Sequence, residues 1–128
     1  MDFEYRTFSK NDLHEVSPSL YNDKPDEIFS PTEETTLTVL KDNKIIAFID
    51  FNYYHDIDVV SIDLFEVFER SKGTGTQIIN EIQRCENVSC IEVNPLTDRS
   101  VRFWRRMGFH FVDSETMQWK KGQANEIT

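Results

Sequence analysis

Arg70-Ser71-Lys72-Gly73-Thr74-Gly75 separates a strand-like run from a helix-like one. Ahead of it, Ile57 to Phe68 is apolar and strand-like. Behind it, Thr76 to Cys85 sets Ile78, Ile79 and Ile82 on one helical face, with Gln77, Asn80, Glu81 and Gln83 largely elsewhere. A strand that ends in glycines and opens straight into a helix exposes the helix's first backbone N–H groups. Those groups and the helix dipole together attract an anion. Gly73 and Gly75 permit a tight turn and a close backbone approach. Arg70 and Lys72 add positive charge. The segment reads as a loop that holds a phosphate or pyrophosphate.

Upstream of this loop the chain is mostly strand. Phe3 to Phe8 alternates and reads as a first strand. Ser9, with Asp12 three positions on, reads as the N-cap of a short helix through about Val16. Ser17 to Thr32, with Pro18, Pro25 and Pro31, reads as loop. Thr35 to Lys41 and Lys44 to Tyr53 flank the turn signal Asp42-Asn43 and predict a hairpin. Tyr54, His55 and Asp56 link it to Ile57–Phe68.

Downstream, Val88 to Val93 is a short buried strand, so strand, helix and strand follow in the order of a crossover to a parallel neighbour. Asn94 to Asp98 reads as loop and Arg99 to Met107 as a second helix, with Val101, Phe103 and Trp104 apolar and Gly108 as its C′ residue. Phe109 to Val112 and Thr116 to Lys121 predict a last hairpin, and Gly122 to Thr128 a frayed tail.

The totals limit the function classes. A chain of 128 residues with 38% apolar and 12% aromatic residues is long enough for one packed domain. A net charge of −9 argues against a general nucleic-acid binder, although Arg99, Arg102, Arg105 and Arg106 form a local basic cluster. Cys85 and Cys90 lack metal-ligand spacing, so two buried thiols in a reducing cytosol, and no metal, are expected. Asp2, Glu4 and Arg6 interrupt any leader-like apolar run, and no segment approaches the ~20 apolar residues of a membrane span. A cytoplasmic protein with no membrane partner is the expectation.

Two segments in order carry a resemblance. Arg70, Gly73 and Gly75 form Arg-x-x-Gly-x-Gly at the opening of a helix. About 30 residues on, after a strand, comes Ser100-Val101-Arg102-Phe103-Trp104-Arg105-Arg106-Met107-Gly108-Phe109. Together they resemble the acyl-CoA loop and the second-helix signature of the GNAT superfamily of acyl-CoA-dependent N-acetyltransferases. The resemblance covers roughly Thr35 to Lys120 and weakens before Thr35. It implies an α/β (α+β) fold with a mixed, mostly antiparallel central sheet of about six to seven strands flanked by helices. Residues 1–128 then form a single domain, with a short variable part (1–34), an acyl-CoA-binding core (35–121) and the tail (122–128). A plain dinucleotide-binding domain is disfavoured, because three successive strands with no helix between them lead directly into the loop. A Walker A loop is excluded, because no Gly-Lys-Ser/Thr follows.

The resemblance also implies a site. Arg70 and the backbone of Ser71, Lys72, Gly73, Thr74, Gly75 and Thr76 grip the CoA pyrophosphate. The third long strand bends near Asp63 to Val67, and Asp63, Leu64 and Phe65 lie along the pantetheine arm, Leu64 and Phe65 through their backbone. Asn94 or Thr97 donates a further hydrogen bond to the cofactor. The general base is sought among Asp63, Glu66, Glu92 and His55, with Glu66 first and Glu92 next. Trp104 stands where many members have a Tyr that protonates the leaving thiolate, and an indole N–H cannot usefully give up its proton. Phe103 and Trp104 read as core, and the helix arginines as a solvated face or as contacts to an anion. His14 and His110 receive no role. Asp12, Glu15, Asp23, Asp26 and Glu27 form an acidic rim suited to a cationic amine. The implied activity is acetyl transfer from acetyl-CoA to a primary amine of a small molecule or peptide, by direct attack. The alternative is a catalytically weak or inactive GNAT-fold binding module acting through CoA or protein contacts. A homodimer is one assembly open to it.

Overall fold

A computed structural model describes residues 3–16, 34–68 and 73–122 of the chain. Among the described residues, seven strands lie in one sheet: β1 (Glu4–Thr7), β2 (Thr36–Lys41), β3 (Lys44–Tyr54), β4 (Val59–Val67), β5 (Cys90–Val93), β6 (His110–Phe111) and β7 (Met117–Lys120). Their order across the sheet is β1-β2-β3-β4-β5-β7-β6. Three described helices accompany them: α1 (Asn11–Glu15), α2 (Thr74–Gln83) and α3 (Asp98–Arg106). The sheet is mostly antiparallel, and β4 with β5 is its parallel pair. The Ser17–Thr32 loop, Arg70, Ser71, Lys72 and most of the expected tail lie outside the described residues. The described residues of Met1–Phe51 and Leu64–Thr74 form one compact unit, and those of Asn52–Asp63 and Gly75–Thr128 another.

In the first unit the β2–β3 hairpin turns on Asp42 and Asn43, with φ of 54° and 66°. Two successive left-handed residues make the type I′ turn that matches strand twist, and Asp and Asn tolerate that region. A bulge follows between Val39 and Leu40 in the pairing. The core gathers around Phe48, whose ring meets Phe8 and Phe68 edge-on, each at 5.1 Å between centroids. Leu13, Val16, Leu40, Ile45 and Leu64 pack on the same cluster.

Asp12 ties α1 to β1 and β2. Its carboxylate accepts from Arg6 Nη1 and the Ser9 backbone N–H at 3.0 Å each and from Thr38 Oγ1 at 2.7 Å, and Arg6 Nη2 stands 2.9 Å from its second oxygen. The helix's N-cap is Lys10 and not Ser9 as the sequence suggests, and no side chain caps it; Asp12 reaches back instead to the Ser9 N–H, one residue ahead of the cap. Asp12 is only 3% exposed, so it belongs to this staple and not to an acidic rim. Burial on its own pushes the carboxyl up; the bonds from Arg6, Thr38 and Ser9 outweigh it and hold it below the ordinary Asp range. A depressed carboxyl stabilises the fold fully above that range and loses the contribution as pH falls through it. Asp12→Ala strands the Thr38 hydroxyl and the Ser9 N–H. It should lower the unfolding free energy by about 2–3 kcal/mol at pH 7. In urea titrations that gap should narrow below about pH 4.

In the second unit β4 pairs with β5 over Val59–Ile62 and Cys90–Val93, and β5 pairs with β7 over its whole length. Val60, Ile62, Ile91, Val93, Met117 and Trp119 are buried, as are Ile78 and Ile79 of α2. Helix α3 starts at the Thr97 cap, whose hydroxyl accepts from the Ser100 N–H at 3.1 Å. It ends in a Schellman motif: Phe109 N–H reaches Trp104 O and Gly108 N–H reaches Arg105 O, each at 3.0 Å, with Gly108 at φ 93°.

Three further sequence expectations are corrected. Strand β4 begins at Val59 and not Ile57, because Asp58 turns left-handed at φ 57° and its carbonyl takes the Ser89 N–H at 2.8 Å. Helix α2 begins at Thr74, two residues early, because the chain turns at Gly73, with φ 74°, and Thr74 already starts the helix. Cys85 is exposed, so only Cys90 is a buried thiol.

Candidate functional site

Of the expected glycine loop, Gly73 is described just ahead of α2, and Thr74 and Gly75 lie within the helix's first turn. Gly73 is exposed, and a Cβ built on it would meet nothing within 4 Å. What selects glycine here is therefore the backbone at φ 74° and not a steric limit. Thr74 is buried and starts the helix, Gly75 and Thr76 complete the opening turn, and that turn holds no acidic residue. A first turn free of carboxylates leaves the positive end of the dipole available to an anion.

Along β4, Leu64 and Phe68 pack on the Phe48 cluster of the first unit. Phe65 and Glu66 are half-buried, and Glu66 stands between those two core residues in the strand's alternation. In the second unit Asp63 is exposed and accepts from Asn52 Nδ2 at 3.0 Å. His55 pairs with Asp56 at 3.2 Å and its ring lies 6.3 Å from that of Tyr53, and both side chains of the ion pair are at least four-fifths exposed, so this pair is weak and solvated.

Glu92 is half-buried on β5, and one of its oxygens accepts from Gln118 Nε2 on β7. Register places Ser61 of β4 opposite Glu92, Glu92 opposite Gln118, and Gln118 opposite His110 of β6. Sequence reading singled out Glu92 but missed Ser61 and Gln118. Nothing local marks them, since only the pairing of three strands sets them side by side. Asn94 is exposed just after β5, and its amide has no partner among the described residues. Thr97 gives its hydrogen to Ser100 Oγ at 3.1 Å, so its hydroxyl serves the helix cap.

On α3, Trp104 is buried between Phe103 and Phe109, with ring centroids at 4.9 and 4.8 Å, as the core reading of this residue expects. The exposed guanidinium of Arg105 lies over Phe111 and that of Arg106 over Phe103, so stacking accounts for part of the arginine cluster. Among the described residues, no helix is long and apolar enough to cross a membrane.

Solved structures with a similar fold include acetyltransferases. Gcn5 from Tetrahymena superposes with a TM-score of 0.66 at 15% identity, over 94% of this chain and 96% of its own. The PaiA N-acetyltransferase of Thermoplasma acidophilum, solved with coenzyme A, gives 0.62 at 15% identity, over 94% and 99%. Naa50 of Arabidopsis thaliana, solved with the bisubstrate analogue CoA-Ac-MVNAL, gives 0.62 at 12% identity, over 94% and 99%. At such identities the likeness is one of fold. No curated protein sequence matches the chain. The family model for the Acetyltransferase (GNAT) family matches residues 2–109, nearly the whole of the packed chain. The chain therefore belongs to the GNAT acetyltransferase family.

Proposed function

We propose that this protein transfers an acetyl group from acetyl-CoA to a primary amine of a small molecule or peptide, without a covalent enzyme intermediate. The observation that carries the reading is the glycine turn at Gly73, which opens α2 with a first turn free of acidic side chains. In this reading Arg70 and the backbone of Ser71 to Thr76 hold the CoA pyrophosphate, and Asn94 adds a side-chain contact. The amine nitrogen attacks the thioester carbonyl carbon and the C–S bond breaks. The amine proton passes to a carboxylate, and the thiolate takes a proton from water, since Trp104 is buried in aromatic packing and has none to give. Glu92 suits the base's role better than Glu66. Gln118 restrains it, and it keeps one oxygen without a partner among the described residues.

Trp104 in place of a tyrosine supports a second reading, a GNAT-fold module that binds CoA without turning it over. One pair of measurements separates the two. Acetyl-CoA at a hundredfold excess over its Kd should stabilise the protein by about 2.7 kcal/mol, a rise in Tm of roughly 5–10 °C. Release of free thiol with a panel of amines then reports transfer. A shift without thiol release favours the binding module. No shift removes the cofactor from both readings.

A further inference from the structure

The row Ser61–Glu92–Gln118–His110 runs across β4, β5, β7 and β6 on one face of the sheet, because directly opposed residues share a face. Ser61, Glu92 and Gln118 are half-buried and His110 is exposed. The bond between Glu92 and Gln118 fixes the amide. A carboxylate only accepts, so the NH2 of Gln118 must face it and the amide carbonyl must point away. The pair therefore presents two acceptors, Glu92 Oε1 and Gln118 Oε1, neither with a partner among the described residues. The Ser61 hydroxyl stands on the next strand. Lys120, two residues along β7, lies opposite Cys90 in the adjoining row and makes no ion pair with Glu92 among the described residues.

Two acceptors carrying one net negative charge suit a cation that donates in several directions. A primary ammonium has three such donors on one atom. A guanidinium gains most from a carboxylate by the two-point fork, which needs both oxygens. Here Gln118 already occupies one of them. A metal ion is a poor fit, since no described group of three or more His, Cys, Asp or Glu could hold one.

We propose that the Glu92–Gln118 pair is the seat of the acceptor's primary ammonium, and that Gln118 makes this seat select alkylammonium over guanidinium compounds. This deepens the acetyl-transfer reading and rests on it for the fate of the bound amine. Gln118 is a specificity-determining residue in this account, and Glu92 receives both the cation and its proton.

The test is titration of the 15N-labelled full chain with n-butylamine, n-butylguanidine and n-butanol, followed by NMR. Butylamine should shift the Gln118 side-chain amide and the backbone amides of Glu92 and Ser61, while butanol leaves them in place. Butylguanidine should bind more weakly than butylamine. Glu92→Gln should weaken butylamine binding about tenfold or more, the scale of one lost charge-assisted hydrogen bond. Gln118→Ala frees both Glu92 oxygens, so guanidine should then bind as well as the amine or better. The dispersed amide spectrum of each variant reports that it is folded. Equal or tighter guanidine binding to the native chain overturns the proposal, as do shifts that map away from the row or no shift at all. Amine binding at the row without thiol release keeps the seat and removes the transferase reading. Thiol release with the row unmoved and KM unchanged in Gln118→Ala removes the seat and keeps the transferase.

Discussion

Glu92→Gln should lower acetyl transfer to an amine by about 10²–10⁴-fold at neutral pH, the range that a positioned general base contributes. Glutamine keeps the size and one acceptor oxygen of glutamate but takes up no proton, so the loss isolates proton transfer from packing. In the proposed role, Glu92 would act from a short central strand, where it lies opposite Ser61 on one side and is bonded to Gln118 on the other. Glu66→Gln is the comparison, and it should leave the rate nearly unchanged. Its neighbours Leu64 and Phe68 pack on the Phe48 cluster, so its backbone is committed to the first unit's core. The measurement is thiol release against pH for the native chain and both variants. In Glu92→Gln the rate should fall at every pH tested, as removal of a proton-accepting group requires. A large loss in Glu66→Gln with Glu92→Gln near native would hand the role to Glu66. Loss in neither would leave deprotonation to solvent.

The sequence was most readable where one residue type meets one backbone demand. Asp42 and Asn43 both take φ above zero in the hairpin, and Gly108 takes it after α3; each announces its turn in the letters. The order of strand, glycine loop, helix and strand leads to the parallel β4–β5 pair for a similar reason, since a helical connection brings the chain back in the same direction. Boundaries failed where a tertiary contact overrode the pattern. Ile57 is apolar and extends the strand-like run, yet it lies 64% exposed in a turn. The carbonyl of Asp58, one residue on, is claimed by Ser89. Asp12 read as one more surface acid, because nothing nearby shows that Thr38 on a strand 26 residues away donates to it. The candidate site divides along the same line. The glycine loop is a local device and was visible. The pairing of Glu92 with Gln118 depends on the register of two strands joined through α3 and β6, and no local letter encodes that register.

Gly73→Asp should weaken acetyl-CoA binding by at least about 100-fold, and a set of three proteins locates the cause. Gly73→Ala comes first. At φ 74° any L side chain is strained by about 1–2 kcal/mol, but nothing lies within 4 Å of the new Cβ, so strain is the whole of its effect. Its unliganded Tm should drop by a few degrees, and acetyl-CoA should still raise it. Aspartate brings the same strain and a charge. Ahead of an opening turn that has no acid of its own, the carboxylate interacts favourably with the helix dipole. The unliganded Asp variant should therefore be no less stable than the Ala variant. The same charge is repulsive to a bound pyrophosphate. A like charge at about 4–5 Å, in the effective dielectric of a protein surface, costs roughly 3–4 kcal/mol, which is two to three decades of affinity. A chain as stable as Gly73→Ala without ligand, yet unmoved by acetyl-CoA, puts the loss in the anion site and not in the fold. An equal thermal shift in Gly73→Asp and the native chain would remove this loop from cofactor binding, because no arrangement that grips a phosphate at this turn tolerates a carboxylate beside it.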